Sequence, residues 1–119
     1  MNITAIANRL HELVEAGDYF TAYDELFSPE AVALEPQLAE MGLGEVKGTE
    51  AIKAKVGALS EGIESLESRE LSAPIVTDTH IALTNIVKAK LKDGNEFNLS
   101  EICLYKVVND KIVSEEFIY

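Results

Sequence analysis

The C-terminal third of the chain alternates apolar and polar residues along three consecutive runs, and this pattern constrains the fold more than anything else in the sequence. The runs are Ile81 to Leu91, Glu96 to Val108 and Lys111 to Tyr119, separated by Lys92-Asp93-Gly94-Asn95 and by Asn109-Asp110. Alternation with a period of two, broken by turn residues, predicts three antiparallel strands. A three-residue loop at Asp93-Gly94-Asn95 would set Lys92, Lys90 and Lys88 opposite Glu96, Asn98 and Ser100 on one face. The other face would then pair Leu91 with Phe97, Ala89 with Leu99, Val87 with Glu101 and Asn85 with Cys103. A loop one residue shorter would mix lysines into the apolar rows, so the alternation selects the parity of the pairing. Pairing Val108 with Lys111 across Asn109-Asp110 places Glu116 beside Cys103 and Ile118 beside Glu101. Asn85, Glu101 and Glu116 are therefore expected together on the buried face. A buried carboxylate costs several kcal/mol unless it is paired, hydrogen-bonded or protonated. The face is thus either a pocket or a polar network.

At 119 residues, with 47% hydrophobic and 26% charged, the chain reads as one soluble globular domain over residues 1–119. Ten basic residues against 21 acidic ones give a net charge of −11, which works against phosphate backbones and anionic membranes. No nucleic-acid and no membrane partner is expected. The sole cysteine, Cys103, permits no internal disulfide and fits a cytoplasmic location. It sits mid-strand without a neighbouring His or Lys, as an inert buried thiol would. The N-terminal residues have neither a signal-peptide run nor a membrane span. No His or Cys spacing implies a metal, and no glycine-rich loop implies a phosphate cofactor.

Ile3, Ile6, Leu10, Leu13 and Val14 recur at helical spacing and Gly17 closes that helix. Asp18 caps a second helix carrying Phe20, Tyr23 and Phe27, which Ser28-Pro29 ends. Ala31 to Glu35 reads as a short strand stopped by Pro36. Gln37 to Gly48 has three glycines and no period, so it is expected as a loop over a pocket mouth, with Met41 and Leu43 touching a ligand. Thr49 is expected to cap a third helix with Ile52, Val56, Leu59 and Ile63 facing inward. Leu66 to Thr77 predicts another strand, in which Arg69, Glu70 and Ser72 suit either face.

The order is helix, helix, strand, loop, helix and a four-strand meander. That order resembles the nuclear transport factor 2-like superfamily, specifically its SnoaL-like branch. The resembling segments are Ala16-Gly17-Asp18, Phe27-Ser28-Pro29-Glu30-Ala31-Val32, Val46-Lys47-Gly48-Thr49-Glu50-Ala51-Ile52, and Val107 to Phe117. The resemblance implies an α+β, cone-shaped barrel: three N-terminal helices packed on a strongly bent, mostly antiparallel sheet, around a pocket for a small apolar organic ligand. It further implies a homodimer through the convex sheet face, where Ile86, Ile102, Leu104, Val108 and Phe117 would lie opposite Glu101. Members include isomerases, cyclases, dehydratases and noncatalytic ligand binders, so fold alone does not name an activity. A ketosteroid isomerase-like base would fall on Glu35, just before Pro36. That isomerase's oxyanion tyrosine and acid would fall near Leu10 and Cys103 and are missing. Epoxide hydrolases of the superfamily carry an acid-flanked Arg where this chain reads Thr84-Asn85-Ile86-Val87. SnoaL-type cyclases use acids late in the sheet, where Glu101 and Glu116 stand.

Two function classes follow. One is an isomerase, cyclase or dehydratase using Glu101, Glu35 and Glu116 on an apolar carbonyl compound. The other is a noncatalytic binder with the same pocket. In the first, Asn85 and Tyr105 orient the substrate oxygen, while Tyr19, Tyr23 and Cys103 line the pocket. Glu101 and Glu116, diagonal and roughly 7 Å apart, would repel by about 2 kcal/mol at an effective dielectric of 20. That repulsion, with burial, would raise the Glu101 pKa.

Overall fold

The computed structural model describes all 119 residues, Met1–Tyr119. Helix α1 (Ile3–Glu15) starts where the Asn2 side chain accepts from the Ala5 amide at 2.8 Å. It ends as Gly17 takes a φ of +76°, which lets the Asp18 amide reach back to the Leu13 carbonyl at 2.8 Å. Its apolar stripe of Ile6, Leu10, Leu13 and Val14 is buried. Helix α2 (Tyr19–Leu26) is capped by Asp18 and buries Tyr23 and Leu26, while Phe20 is left exposed.

Strand β1 (Phe27–Leu34) begins directly after α2 and includes Ser28-Pro29, so it is longer than the Ala31 to Glu35 strand read from the sequence. The following Pro36–Met41 forms a 3₁₀ turn, and Glu45–Lys47 forms a short edge strand β2 against β1. The Glu35 amide donates to the Gly44 carbonyl at 2.8 Å, folding the expected loop back as an extension of the sheet.

Helix α3 (Thr49–Glu61) has Gly48, at φ +93°, as its cap residue. Thr49 is instead the first helical residue, and its hydroxyl donates to the Ser28 carbonyl at 2.6 Å, pinning α3 to β1. The expected Leu66 to Thr77 strand is two pieces, β3 (Ile63–Leu71) and β4 (Ile75–Val76), both paired with β5 (His80–Leu91). Strands β6 (Glu96–Val108) and β7 (Lys111–Ile118) complete the sheet.

The sheet runs β2-β1-β7-β6-β5-β3, with β4 beside β5; β1 and β7 are parallel and all other pairs antiparallel. It is curved and unclosed, since β2 and β3 do not meet. The helices cover the concave side. Ile6 and Leu10 from α1, Leu26 from α2, Ile52 from α3, and Ile81 and Ile112 from the sheet are the largest side chains wholly removed from solvent. Each contributes about 1.5–3 kcal/mol relative to exposure.

Two registers differ from the alternation reading. Across β5 and β6 the partners are Lys90 with Glu96, Val87 with Leu99 and Asn85 with Glu101, two residues from the expected pairing. The connection is longer because Asp93 bonds the Asn95 amide and the Leu91 amide donates to the Asn95 carbonyl. A two-residue shift keeps every face but changes every partner. Between β6 and β7, Val108 pairs with Lys111 as expected, but a bulge intervenes before Lys106 pairs with Ser114. One extra residue reverses the alternation beyond it. Glu115 therefore faces inward opposite Tyr105, and Glu116 turns to the convex side opposite Leu104. Phe117 moves to the concave side for the same reason, and Ile118 replaces it on the convex one.

Candidate functional site

Helices and concave sheet enclose a cavity of about 950 Å³. That volume suits a small organic molecule. Its walls are mainly apolar, with Leu10, Val14, Val56, Val87, Leu99 and Phe117 among them. The end of α3 and the β5–β6 hairpin frame one side, joined where the Lys92 amide donates to the Gly62 carbonyl at 3.0 Å. Met41 and Leu43 are not on the wall, and Met41 is exposed, because the segment that carries them is committed to the sheet edge. The lid expected over Gln37 to Gly48 is not there.

Into this space the sequence delivers an unusual number of ionisable groups. Glu101 is buried on β6. Asn85, directly opposite on β5, donates from Nδ2 to Glu101 Oε1 at 3.1 Å, and the Cys103 thiol donates to the same oxygen at 3.5 Å. Neither bond uses Oε2. Burial is the main influence on Glu101 and raises its pKa above the ordinary carboxyl value. The two hydrogen bonds oppose this, Glu35 pushes further up, and Lys55 pulls down. The repulsion expected from Glu116 has no part in it, since Glu116 lies on the other face.

Glu115 takes the inward place expected for Glu116. Its Oε1 accepts from the Tyr23 hydroxyl at 2.9 Å in a fully enclosed position. Burial pushes its pKa up to about 7, against the Tyr23 bond and the attraction of Lys55. Burial also raises the pKa values of Tyr23 and Tyr105 well above the ordinary phenol, and that of Cys103 well above the ordinary thiol. All three are neutral, and Cys103 is no nucleophile.

Glu35 is not free. Its Oε1 accepts from Lys55 Nζ at 2.7 Å and its Oε2 from the Tyr119 hydroxyl at 2.8 Å. The Lys55 side chain is only 4% exposed, so this is a buried ion pair on the cavity wall. Burial and the Glu35 carboxylate both raise the pKa of Tyr119. Across the cavity, Arg69 of β3 points inward, its guanidinium 5.3 Å from the Tyr19 ring centre. Its Nη1 donates to the Val14 carbonyl at 3.3 Å. The parity of β3, undecided in sequence, is thus resolved with Arg69 on the cavity wall.

Of the residues singled out from sequence, Glu101, Glu35, Asn85, Tyr105, Tyr23, Tyr19 and Cys103 converge on the cavity, and Glu116, Met41 and Leu43 do not. Lys55, Glu115 and Tyr119 were not foreseen. Lys55 had a signal: it falls three residues after Ile52 and next to Val56, on the inward stripe of α3. No group of three or more His, Cys, Asp or Glu is placed to hold a metal ion. No helix is long and apolar enough to cross a membrane.

Three helices over a curved, open mixed sheet define a protein of the NTF2-like, cystatin-like α+β class. Within it, the chain belongs to the SnoaL-like domain family, whose match covers residues 1–119. It is similar to a Mesorhizobium loti protein designated a SnoaL-like polyketide cyclase, with 26% identity over 100% of both chains and a TM-score of 0.87. A Xanthomonas campestris protein of unknown function with a cystatin-like fold shares 19% identity, over 99% of this chain and 90% of that one, at a TM-score of 0.78. A Bacillus subtilis protein designated an isomerase shares 19% identity, over 98% and 88%, at 0.76. No curated protein matches the chain.

Proposed function

We propose that the cavity takes a small, largely apolar carbonyl compound and that Glu101 moves a proton on it, as an isomerase, cyclase or dehydratase would. The observation that carries this reading is Glu101 itself. It stands in an apolar-walled cavity with Oε1 held by Asn85 and Cys103, Oε2 unengaged, and a pKa raised by burial. A carboxyl whose pKa is raised by burial suits general acid–base work better than one with the ordinary acidic value. Oε2 is the atom that takes and returns the proton. Glu115, bonded to Tyr23 deeper in the fold, is a second carboxyl whose pKa burial pushes up, to about 7. Glu35, with both oxygens engaged, holds Lys55 and Tyr119 in place rather than accepting a proton. The Mesorhizobium loti relative, designated a SnoaL-like polyketide cyclase and, in brackets, a carbohydrate phosphatase, supports the cyclase form of this reading by the first of those names.

The test is exchange of the α-protons of 2-tetralone into D₂O, followed by NMR. The protein should accelerate exchange over buffer. Glu101→Gln, which keeps volume and the bond to Asn85, should lower the protein-dependent rate about 10²–10⁴-fold. Binding of 2-tetralone without any acceleration favours the alternative, a noncatalytic ligand binder using the same cavity.

A further inference from the structure

Lys55 is the only buried lysine of the chain, and its side chain forms part of the cavity wall. An ammonium carries three N–H donors and no acceptor. Within the protein only one of the three has a partner, in the bond to Glu35 Oε1 at 2.7 Å. The Phe117 ring, with its centre 5.9 Å from Nζ, favours a positive charge there without taking up a second N–H. Two N–H groups are therefore unspent beside a mostly apolar space, and unspent donors on a buried charged group are costly. The charge itself is met by Glu35, whose other oxygen is held by the Tyr119 hydroxyl. Lys55 also makes itself felt at the proton-transfer group, since its positive charge opposes the upward pull of burial on Glu101 and on Glu115 alike.

A protonated imine has the same charge as an ammonium but a single N–H. It matches what surrounds Nζ: one acceptor, one counter-charge and an aromatic ring. We infer that Lys55 captures the carbonyl carbon of the ligand as a protonated imine, with Glu35 as its fixed counter-ion. This rests on the reading of the cavity as the site of an apolar carbonyl compound and adds a covalent step to it. As Nζ bonds to the carbonyl carbon, one ammonium proton passes to the carbonyl oxygen. A second proton follows, and that oxygen leaves as water. The two protons lost are the unpartnered ones, while the third stays on nitrogen and is still donated to Glu35 Oε1. The charge facing Glu35 is the same before and after. The iminium draws electrons from the neighbouring carbon, so Glu101 Oε2 takes a proton there and leaves a neutral enamine. No negative oxygen has to be stabilised, in a cavity where Tyr23, Asn85 and Cys103 spend their donors on carboxyl groups. The ligand is accordingly an aldehyde or ketone, not an acid, ester or amide.

Incubation of the protein with 2-tetralone and sodium cyanoborohydride, followed by mass spectrometry, reads the imine as a reduced, permanent adduct. The mass should rise by that of 2-tetralone less one oxygen, on the peptide that carries Lys55. Lys55→Arg keeps the charge and a donor for Glu35 but forms no imine. It should lose the adduct and return α-proton exchange to the buffer rate, whereas Glu101→Gln should lose exchange and keep the adduct. Trapping is read on the unaltered protein, so it decides the matter even if Lys55→Arg does not fold. Accelerated exchange with no adduct would overturn the imine and leave Glu101 acting on the free ketone. Adducts confined to exposed lysines such as Lys47 and Lys88 would overturn it as well. An adduct at Lys55 without accelerated exchange would uphold the imine and refute the proton transfer.

Discussion

A carboxylic acid enclosed beside a tyrosine keeps its proton to higher pH than one in water, and Glu115 is in that position. The consequence for stability has a definite sign. The folded chain holds this proton up to about 7, while the unfolded chain releases it near 4.5. Folding is therefore favoured by this group below the lower value, loses that contribution as pH rises between the two, and levels off above the upper one. The loss amounts to about 3 kcal/mol. Glu115→Gln removes the titration, so the variant's stability relative to the unaltered chain should rise by about that amount between pH 4.5 and pH 8. Denaturant unfolding at the two pH values measures it. An unchanged difference would mean that Glu115 does not titrate in this window. The Lys55–Glu35 pair behaves differently, because a buried ion pair contributes little against an apolar replacement but is costly to halve. Its two members and Tyr119 are joined by hydrogen bonds at one corner of the wall.

At the scale of elements, the bulge in β7 decides which side chains reach the cavity. Strict alternation from Ile112 carries Ser114, Glu116 and Ile118 inward, whereas the bulge brings in Glu115 and Phe117. Alternation has no term for an inserted residue, which is why the sequence led to Glu116. The odd spacing between Ile112 and Phe117 was the available sign, since two bulky apolar residues five apart share a face only if one residue is extra. The same bulge brings Ile118 to the convex face in place of Phe117. Ile86, Ile102, Val108 and Ile118 are each between 43% and 46% exposed there, interleaved with Lys88 and Lys106. Apolar residues gathered on one sheet face mark an association surface. We therefore propose an isologous homodimer through it. Light scattering should return twice the chain mass at micromolar concentration, and Ile102→Glu should halve it. A monomer mass for the unaltered chain would refute the dimer.

For the molecule as a whole, the sequence was most legible where periodicity is long and unbroken. Helix α1, the meander of β5, β6 and β7, and the gathering of Asn85 and Glu101 on one buried face could all be read from residue order. What escaped was set by chain geometry between elements. The two-residue longer β5–β6 connection moved Asn85 from Cys103 to Glu101, and the Gln37 to Gly48 segment became a sheet edge instead of a lid. Lys55, despite its place on the inward stripe of α3, and Arg69 were passed over because a charged residue on a mixed face is ordinarily a solvated one, and only their burial on the cavity wall shows otherwise. The molecule's central property is a carboxyl whose pKa is raised by burial in a largely apolar cavity that three helices and five strands wall together. Carbon-13 NMR titration of the glutamate side-chain carboxyls, with Glu101→Gln to assign the resonance, tests it most directly. The account predicts a Glu101 midpoint above the roughly 4.3 of a free glutamate. A midpoint at or below that value would contradict it and leave Glu101 as a structural hydrogen-bond acceptor for Asn85.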